Sequence, residues 1–193
     1  GFYGKQTCST DLVISENHLL LNVDIQNGQK TGYFLDQKSN RMLIRDMAKG
    51  LRVLDCFTHT GGFALNAAKG EAKSVTAVDV SGIALEEASK NAEINHFTNM
   101  TFVQADVFDY LEEMKEGEFN LIILDPPAFT KSRKTVKQAY YGYKRINLEA
   151  MKKLENGGFL ATCSCSRYME TSLFEQMLKE AALEANVLLK QVS

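Results

Sequence analysis

The chain has 193 residues, 45% of them apolar and 24% charged, with a formal net charge of −2. That is enough chain for one good-sized α/β domain with a small appendage. No apolar run approaches the roughly 18 residues of a membrane helix, the first residues lack signal-peptide order, and the charge excludes wrapping of nucleic acid through bulk electrostatics, though not a local basic patch.

Residues 1–18 show little periodicity, and the first residue is not Met, so the chain is expected to start inside a longer protein. From Leu21, apolar Leu21, Val23 and Ile25 alternate with Asn22, Asp24 and Gln26. This predicts a strand with one buried face. Asn27-Gly28 reads as a hairpin turn, 31–35 as the returning strand, and 39–49 as a helix stopped by Gly50. Residues 1–50 thus form a β-hairpin and helix appendage ahead of a domain over 51–193.

After Gly50 strands and helices alternate. Strands are predicted at 51–57, 74–80, 100–105, 119–124, 159–164 and 187–192, and helices at 62–69, 83–95, 108–115, 136–154 and 172–185. Unbroken apolar strands alternating with helices imply a doubly wound, Rossmann-like parallel sheet covered on both faces.

Ligands of such sheets bind at the carboxyl ends of the strands. The first strand runs into Asp55-Cys56-Phe57-Thr58-His59-Thr60-Gly61-Gly62, where glycines let the backbone approach a ligand. The second ends at Asp79-Val80, placed for ribose hydroxyls, and the third at Asp106-Val107, placed for an adenine amino group and ring. The fourth ends at Asp125-Pro126-Pro127. Neither a dinucleotide nor a phosphate-loop glycine pattern is present. Acids at successive strand ends suit a cation-bearing nucleoside, S-adenosyl-L-methionine, although each Asp alone also suits a helix N-cap.

The two prolines are the only ones in the chain. They hold Asp125 in extended geometry where the sheet ends. The fifth strand runs on into Cys163-Ser164-Cys165, and Cys165 is expected beside Asp125. A thiolate there is a candidate nucleophile, whereas Cys163 reads as a small buried residue. The four cysteines make no zinc-type pair and no disulfide framework, so no metal is expected and a reducing cytoplasm is. Between Lys131 and Arg145, six basic residues interleave with Tyr140, Tyr141 and Tyr143 and no acid intervenes, a pattern suited to RNA.

Five segments carry a resemblance: Gly28-Gln-Lys-Thr-Gly-Tyr-Phe-Leu-Asp-Gln37, Asp55 to Phe63, Asp125-Pro-Pro-Ala-Phe-Thr-Lys-Ser132, Gly142-Tyr-Lys144 and Ser164-Cys-Ser166. Over about 18–190 the chain resembles the bacterial 23S ribosomal RNA cytosine-5 methyltransferases that carry an N-terminal PUA domain. The resemblance implies S-adenosylmethionine as cofactor and large-subunit ribosomal RNA as partner, with no membrane and a homodimer left open. It implies Cys165 and Asp125 as catalytic residues. The implied cofactor site is Gln37, Asp55, Phe57, Thr58, Gly61, Gly62, Asp79, Val80, Asp106, Val107 and Asp125. Substrate contacts are implied for Pro126, Pro127, Phe129, Lys131 and Arg133, with Phe129 stacking on a flipped base. The chain departs from the family in lacking the PUA domain and a seventh, antiparallel strand, so truncation at both ends is expected. It also lacks a cysteine in the fourth motif. Two alternatives remain: nitrogen methylation (guanine N7 or adenine N6) through the Asp-Pro-Pro-Ala-Phe motif, and a non-catalytic RNA-binding module.

Overall fold

A computed structural model describes residues 11–24, 33–130, 132–166 and 168–192. The chain opens with β1 (Asp11–Glu16) and β2 (Leu19–Asp24), an antiparallel hairpin in which Glu16 pairs with Leu19. The two linking residues, Asn17 and His18, have φ of 51° and 59°. Two left-handed residues give a turn whose twist matches that of the flanking strands. This hairpin includes a strand, β1, in a segment where the sequence shows little periodicity. The Asn27-Gly28 turn lies outside the described residues, and of the expected returning strand the described part, 33–35, is not extended but enters a 3-10 turn at Leu35–Gln37.

The rest alternates as expected. α1 (Lys38–Met47) leads to β3 (Arg52–Cys56), α2 (Gly62–Lys69), β4 (Ser74–Asp79), α3 (Gly82–Ile94), β5 (Met100–Gln104) and α4 (Val107–Glu113). Then come β6 (Leu121–Leu124), α5 (Val136–Lys153), β7 (Phe159–Thr162) and α6 (Thr171–Ala185). Strands β3 to β7 form one parallel sheet in the order β5-β4-β3-β6-β7. The chain winds outward from β3 in one direction and from β6 in the other. A crevice opens between such neighbours, at their carboxyl ends.

Alternation along each strand sends successive side chains to opposite faces. Leu54, Cys56, Val78, Ile122 and Leu124 meet α4, α5 and α6 on one face. Val53, Val75, Ala77, Leu121 and Ile123 meet α1 and α2 on the other. Residues 121–124 are all 0% exposed, so each apolar side chain there contributes roughly 2 kcal/mol. Helix α5 buries Ala139, Tyr143, Ile146 and Ala150, the four-three-four spacing of one helical stripe.

The segment 187–192 makes no strand. Its Leu188 and Val192 are exposed, and it pairs with nothing in the described sheet. Its strand-like composition has no partner ladder to realise it, and strand propensity expresses packing against neighbours more than an intrinsic preference.

The hairpin shares a core with the sheet domain: Leu19, Leu21 and Val23 pack with Leu65 of α2 and Ala92 of α3. Its open edge is satisfied by α3. Asn95 bonds both the amide and the carbonyl of Leu20, and Asn91 accepts from the Asn22 amide at 2.7 Å. Asn91 also donates to the Thr60 carbonyl, tying the hairpin to the loop after β3. A second tie is a buried ion pair in which Arg41 grips both oxygens of Glu16, at 2.7 and 2.9 Å. Arg41 lies over the Tyr33 ring and donates to the Phe34 carbonyl. It thereby fixes the approach to the 3-10 turn that ends at Gln37.

Candidate active site

The loop after β3 is shaped by its backbone. Phe57, His59 and Gly61 have φ of 62°, 52° and 87°. Gly61 opens α2 in the left-handed region, and a Cβ there would sit 3.2 Å from Ala88 Cβ. A side chain is thus excluded by conformation and by space.

Asp55 is 1% exposed. Its Oδ2 accepts from the Thr58 hydroxyl at 2.6 Å and the Ala64 amide at 2.9 Å. Its Oδ1 is buried with no hydrogen-bond partner among the described residues. Burial pushes the carboxyl up to about 7, the two hydrogen bonds oppose this, and the nearby charges of Asp125 and Asp79 add to it. A buried acceptor without a donor, facing two more acids, is a place for a ligand bearing a donor and positive charge.

Asp79 at the end of β4 is half-buried. One oxygen accepts from the His59 amide and the other from the Ser81 amide, both at 2.9 Å. Each oxygen keeps a second lone pair, the acceptor pair that two ribose hydroxyls require. Burial lowers His59, against a smaller opposing effect of Asp79, and so favours the neutral imidazole. Val80 is 69% exposed, and Val107 is buried in the core. Asp106 accepts from the Phe108 amide at 2.7 Å and caps α4, the structural role open to any Asp at a helix start.

Asp125 follows β6 directly, across the crevice from Asp55. Gln37 donates through Nε2 to its Oδ1 at 3.3 Å, and Asn40 Nδ2 donates to the Gln37 side-chain Oε1 at 2.6 Å. The second bond turns the Gln37 amide so that its NH2 end meets the carboxylate. The sequence reading placed Gln37 at the site, but Asn40 carried no local signal.

Strand β7 lies beside β6, and the Cys163 amide donates to the Leu124 carbonyl at 2.8 Å. The chain then brings the exposed Cys165 to the crevice, its thiol donating to the Pro126 carbonyl at 3.3 Å. The expected neighbourhood of Cys165 and the Asp-Pro-Pro turn is realised. Burial pushes the Cys163 thiol up to about 12, with the Asp125 charge adding, so it stays protonated and unreactive. Pro126 is buried and Pro127 exposed.

Helix α5 braces both the turn after β6 and the turn after β7. The buried Tyr143 hydroxyl shares a 2.8 Å hydrogen bond with the buried Ser166. Phe129 packs its ring 4.6 Å from that of Tyr143, and also contacts Phe57 and Phe108. A Cβ on Gly142 would lie 3.1 Å from the Phe129 ring. Gly142-Tyr143 therefore joins Asp125–Phe129 to Ser164–Ser166. The Phe129 ring is half-buried in this cluster and does not stand free.

The basic stretch divides. Lys131 lies outside the described residues. Lys144 pairs with Glu180 and Glu184 at 3.4 and 2.5 Å, and Arg145 pairs with Glu112 and lies over Phe108. Acids from α4 and α6 thus neutralise cations that no acid neighbours in sequence. Arg133, Lys134 and Lys137 are exposed and have no ion pair among the described residues.

A parallel sheet with a glycine-turned loop, acids in register and no phosphate-binding pattern defines a Rossmann-like fold of the methyl-transferring class. The family model of the S-adenosylmethionine-dependent methyltransferases matches residues 4–191, and the chain belongs to that family. The ribosomal RNA large subunit methyltransferase I of Aeromonas salmonicida (strain A449) is 46% identical over 189 residues, covering 96% of this chain and 48% of that protein. A Streptococcus mutans protein assigned as an S-adenosylmethionine-dependent methyltransferase superimposes with a TM-score of 0.81 at 27% identity, over 94% of this chain and 48% of its own. A methyltransferase structure complexed with SAH matches with the same score and identity, over 93% of this chain. The chain spans about half the length of the curated relatives it matches.

The residues present fit the family's cofactor. Asp55 Oδ1 and the second lone pairs of the Asp79 oxygens would accept from its ammonium and ribose, and the three acids would favour its net positive charge.

Proposed function

We propose that this chain methylates carbon 5 of a cytosine in large-subunit ribosomal RNA, with Cys165 as the nucleophile. The carrying observation is the exposed Cys165 thiol, 3.3 Å from the Pro126 carbonyl at the crevice. The names of the relatives support the RNA class, and four cysteines with neither zinc-type nor disulfide-framework spacing fit a reducing compartment, the cytoplasm.

Carbon 5 of cytosine is not nucleophilic until a thiolate adds at carbon 6. Cys165 Sγ bonds carbon 6, and the displaced electron pair makes carbon 5 electron-rich. Asp125, held by Gln37, accepts a hydrogen bond from the base edge. The cofactor, when bound, would supply an electrophilic methyl group to carbon 5, the electrons of the sulfonium–methyl bond remaining on sulfur as a neutral thioether. The carbon 5 proton passes to solvent or a side-chain base, and the returning electron pair expels Cys165 as thiolate.

A nitrogen target is the second reading, favoured by the Asp125-Pro-Pro-Ala-Phe129 sequence at the same edge. The exposed Cys165 at that edge, for which a nitrogen target has no use, favours the cytosine reading over it. Replacing Cys165 with Ala separates the two. The cytosine-5 mechanism expects methyl transfer to ribosomal RNA to fall about a thousandfold or more, with cofactor binding retained. A fully active Cys165→Ala protein would overturn it.

A further inference from the structure

Beside the catalytic turns lies a cleft of about 760 Å3, lined by Arg133 and Val136 on one side and by Tyr168, Glu170, Leu173 and Gln176 on the other. A second lobe of about 410 Å3 shares Arg133, Val136 and Leu173, and adds Lys137 and the tyrosines Tyr140 and Tyr141. Both catalytic segments run directly into it. Tyr168 is three residues beyond Cys165, within about 11 Å along the chain, and Arg133 is four beyond Phe129. The Arg133 end is held by the buried Thr130, whose hydroxyl bonds that of Thr135 at 2.7 Å.

The chemistry of the lining is selective. Lys144 and Arg145, two turns further along α5, are spent on acids, whereas Arg133 and Lys137 at the cleft are exposed and have no ion pair among the described residues. An unpaired guanidinium and ammonium suit phosphate oxygens. The tyrosine rings suit stacking against a base, a contact indifferent to sequence. Glu170 repels phosphate and accepts hydrogen bonds, so it suits the amino edge of a base.

We propose that this cleft binds a nucleotide flanking the target in the same RNA strand. Its phosphate lies on Arg133 and Lys137, its base stacks on Tyr168, and an amino-bearing edge meets Glu170, so that uracil is disfavoured there. This rests on the RNA reading above and adds a specificity site to it.

The test uses the intact protein, large-subunit ribosomal RNA from a strain lacking the gene, and short target RNAs varied at the flanking positions. Arg133→Ala is expected to raise KM about tenfold, lower the slope of log affinity against log salt by about one, and leave S-adenosylmethionine affinity unchanged. Tyr168→Ala is expected to raise KM by a similar factor without changing the salt slope. Glu170→Gln is expected to reduce the discrimination against a flanking uracil. Unchanged cofactor binding shows that each variant folds. Arg133→Ala and Tyr168→Ala proteins with wild-type KM on an RNA that the wild type methylates would overturn the cleft while leaving the catalytic reading intact. A wild-type protein that methylates no RNA would overturn both.

Discussion

Asp55 offers a pH test. Its carboxyl is raised from 3.8 to about 7 by burial, with Asp125 and Asp79 adding their charges. Between those values the folded protein holds a proton that the unfolded chain has lost. Stability therefore falls as pH rises through this window, and the contribution is fully present only below pH 3.8. At about 1.4 kcal/mol per tenfold, the rise amounts to on the order of 4 kcal/mol. Asp55→Asn keeps the shape and removes the titration. Without cofactor, the stability of the variant relative to wild type should increase by on the order of 4 kcal/mol between pH 4 and pH 8, read by urea unfolding across the range. Cofactor binding should move the other way. Asn presents no acceptor at the position of Oδ1, so calorimetry at pH 8 should show S-adenosylmethionine bound about 10- to 100-fold more weakly. Wild-type affinity should also climb with pH up to about 7, since binding expels the Asp55 proton, while the variant lacks that climb. Parallel stability profiles for the two proteins would refute the assignment of Asp55 as the buried titrating acid.

Other outcomes follow from single contacts. Arg41→Met strands the 5%-exposed Glu16 carboxylate and should cost about 3–5 kcal/mol in urea unfolding, with replacement of both partners recovering much of it. Tyr143→Phe removes the buried bond to Ser166. It should cost about 1 kcal/mol and lower kcat more than it changes cofactor affinity, because it loosens the turn that carries Cys165. A Cβ at Gly70 would lie 2.0 Å from the Arg45 carbonyl oxygen, so Gly70→Ala should destabilise by more than about 2 kcal/mol in thermal or urea unfolding. Lys144→Ala should leave the salt dependence of RNA binding unchanged, since Glu180 and Glu184 already occupy that ammonium.

The sheet domain was legible because its strands are short apolar runs and its helices carry amphipathic stripes. α2 and the start of α5 fall where the pattern put them, and β6 is shorter by two residues. The first hairpin strand was not legible: β1 gives little alternation because Leu12 and Val13 are both exposed, while the Asn27-Gly28 turn lies outside the described residues. The 187–192 segment misled in the opposite direction, with strand composition and no neighbouring ladder. At the site, the approach of Cys165 to the Asp125-Pro126-Pro127 turn was readable, since it follows from β6 and β7 being adjacent. The links of Gln37 to Asp125 and Tyr143 to Ser166 join residues 88 and 23 positions apart and exist only after folding. So does the neutralisation of Lys144 and Arg145 by acids on other helices. That Asp55 Oδ1 has no donor among the described residues was equally hidden, because sequence shows an acid but not which lone pairs its own loop consumes.

The nucleophile is tested most directly with large-subunit ribosomal RNA substituted with 5-fluorocytosine, incubated with wild-type protein and cofactor. Fluorine cannot leave carbon 5 as a proton does, so addition of Cys165 should end in a stable protein–RNA adduct. Mass spectrometry should place it on the peptide containing Cys165, and Cys165→Ala should form none. An unmodified RNA that is methylated while its fluorinated counterpart yields no adduct would contradict the mechanism.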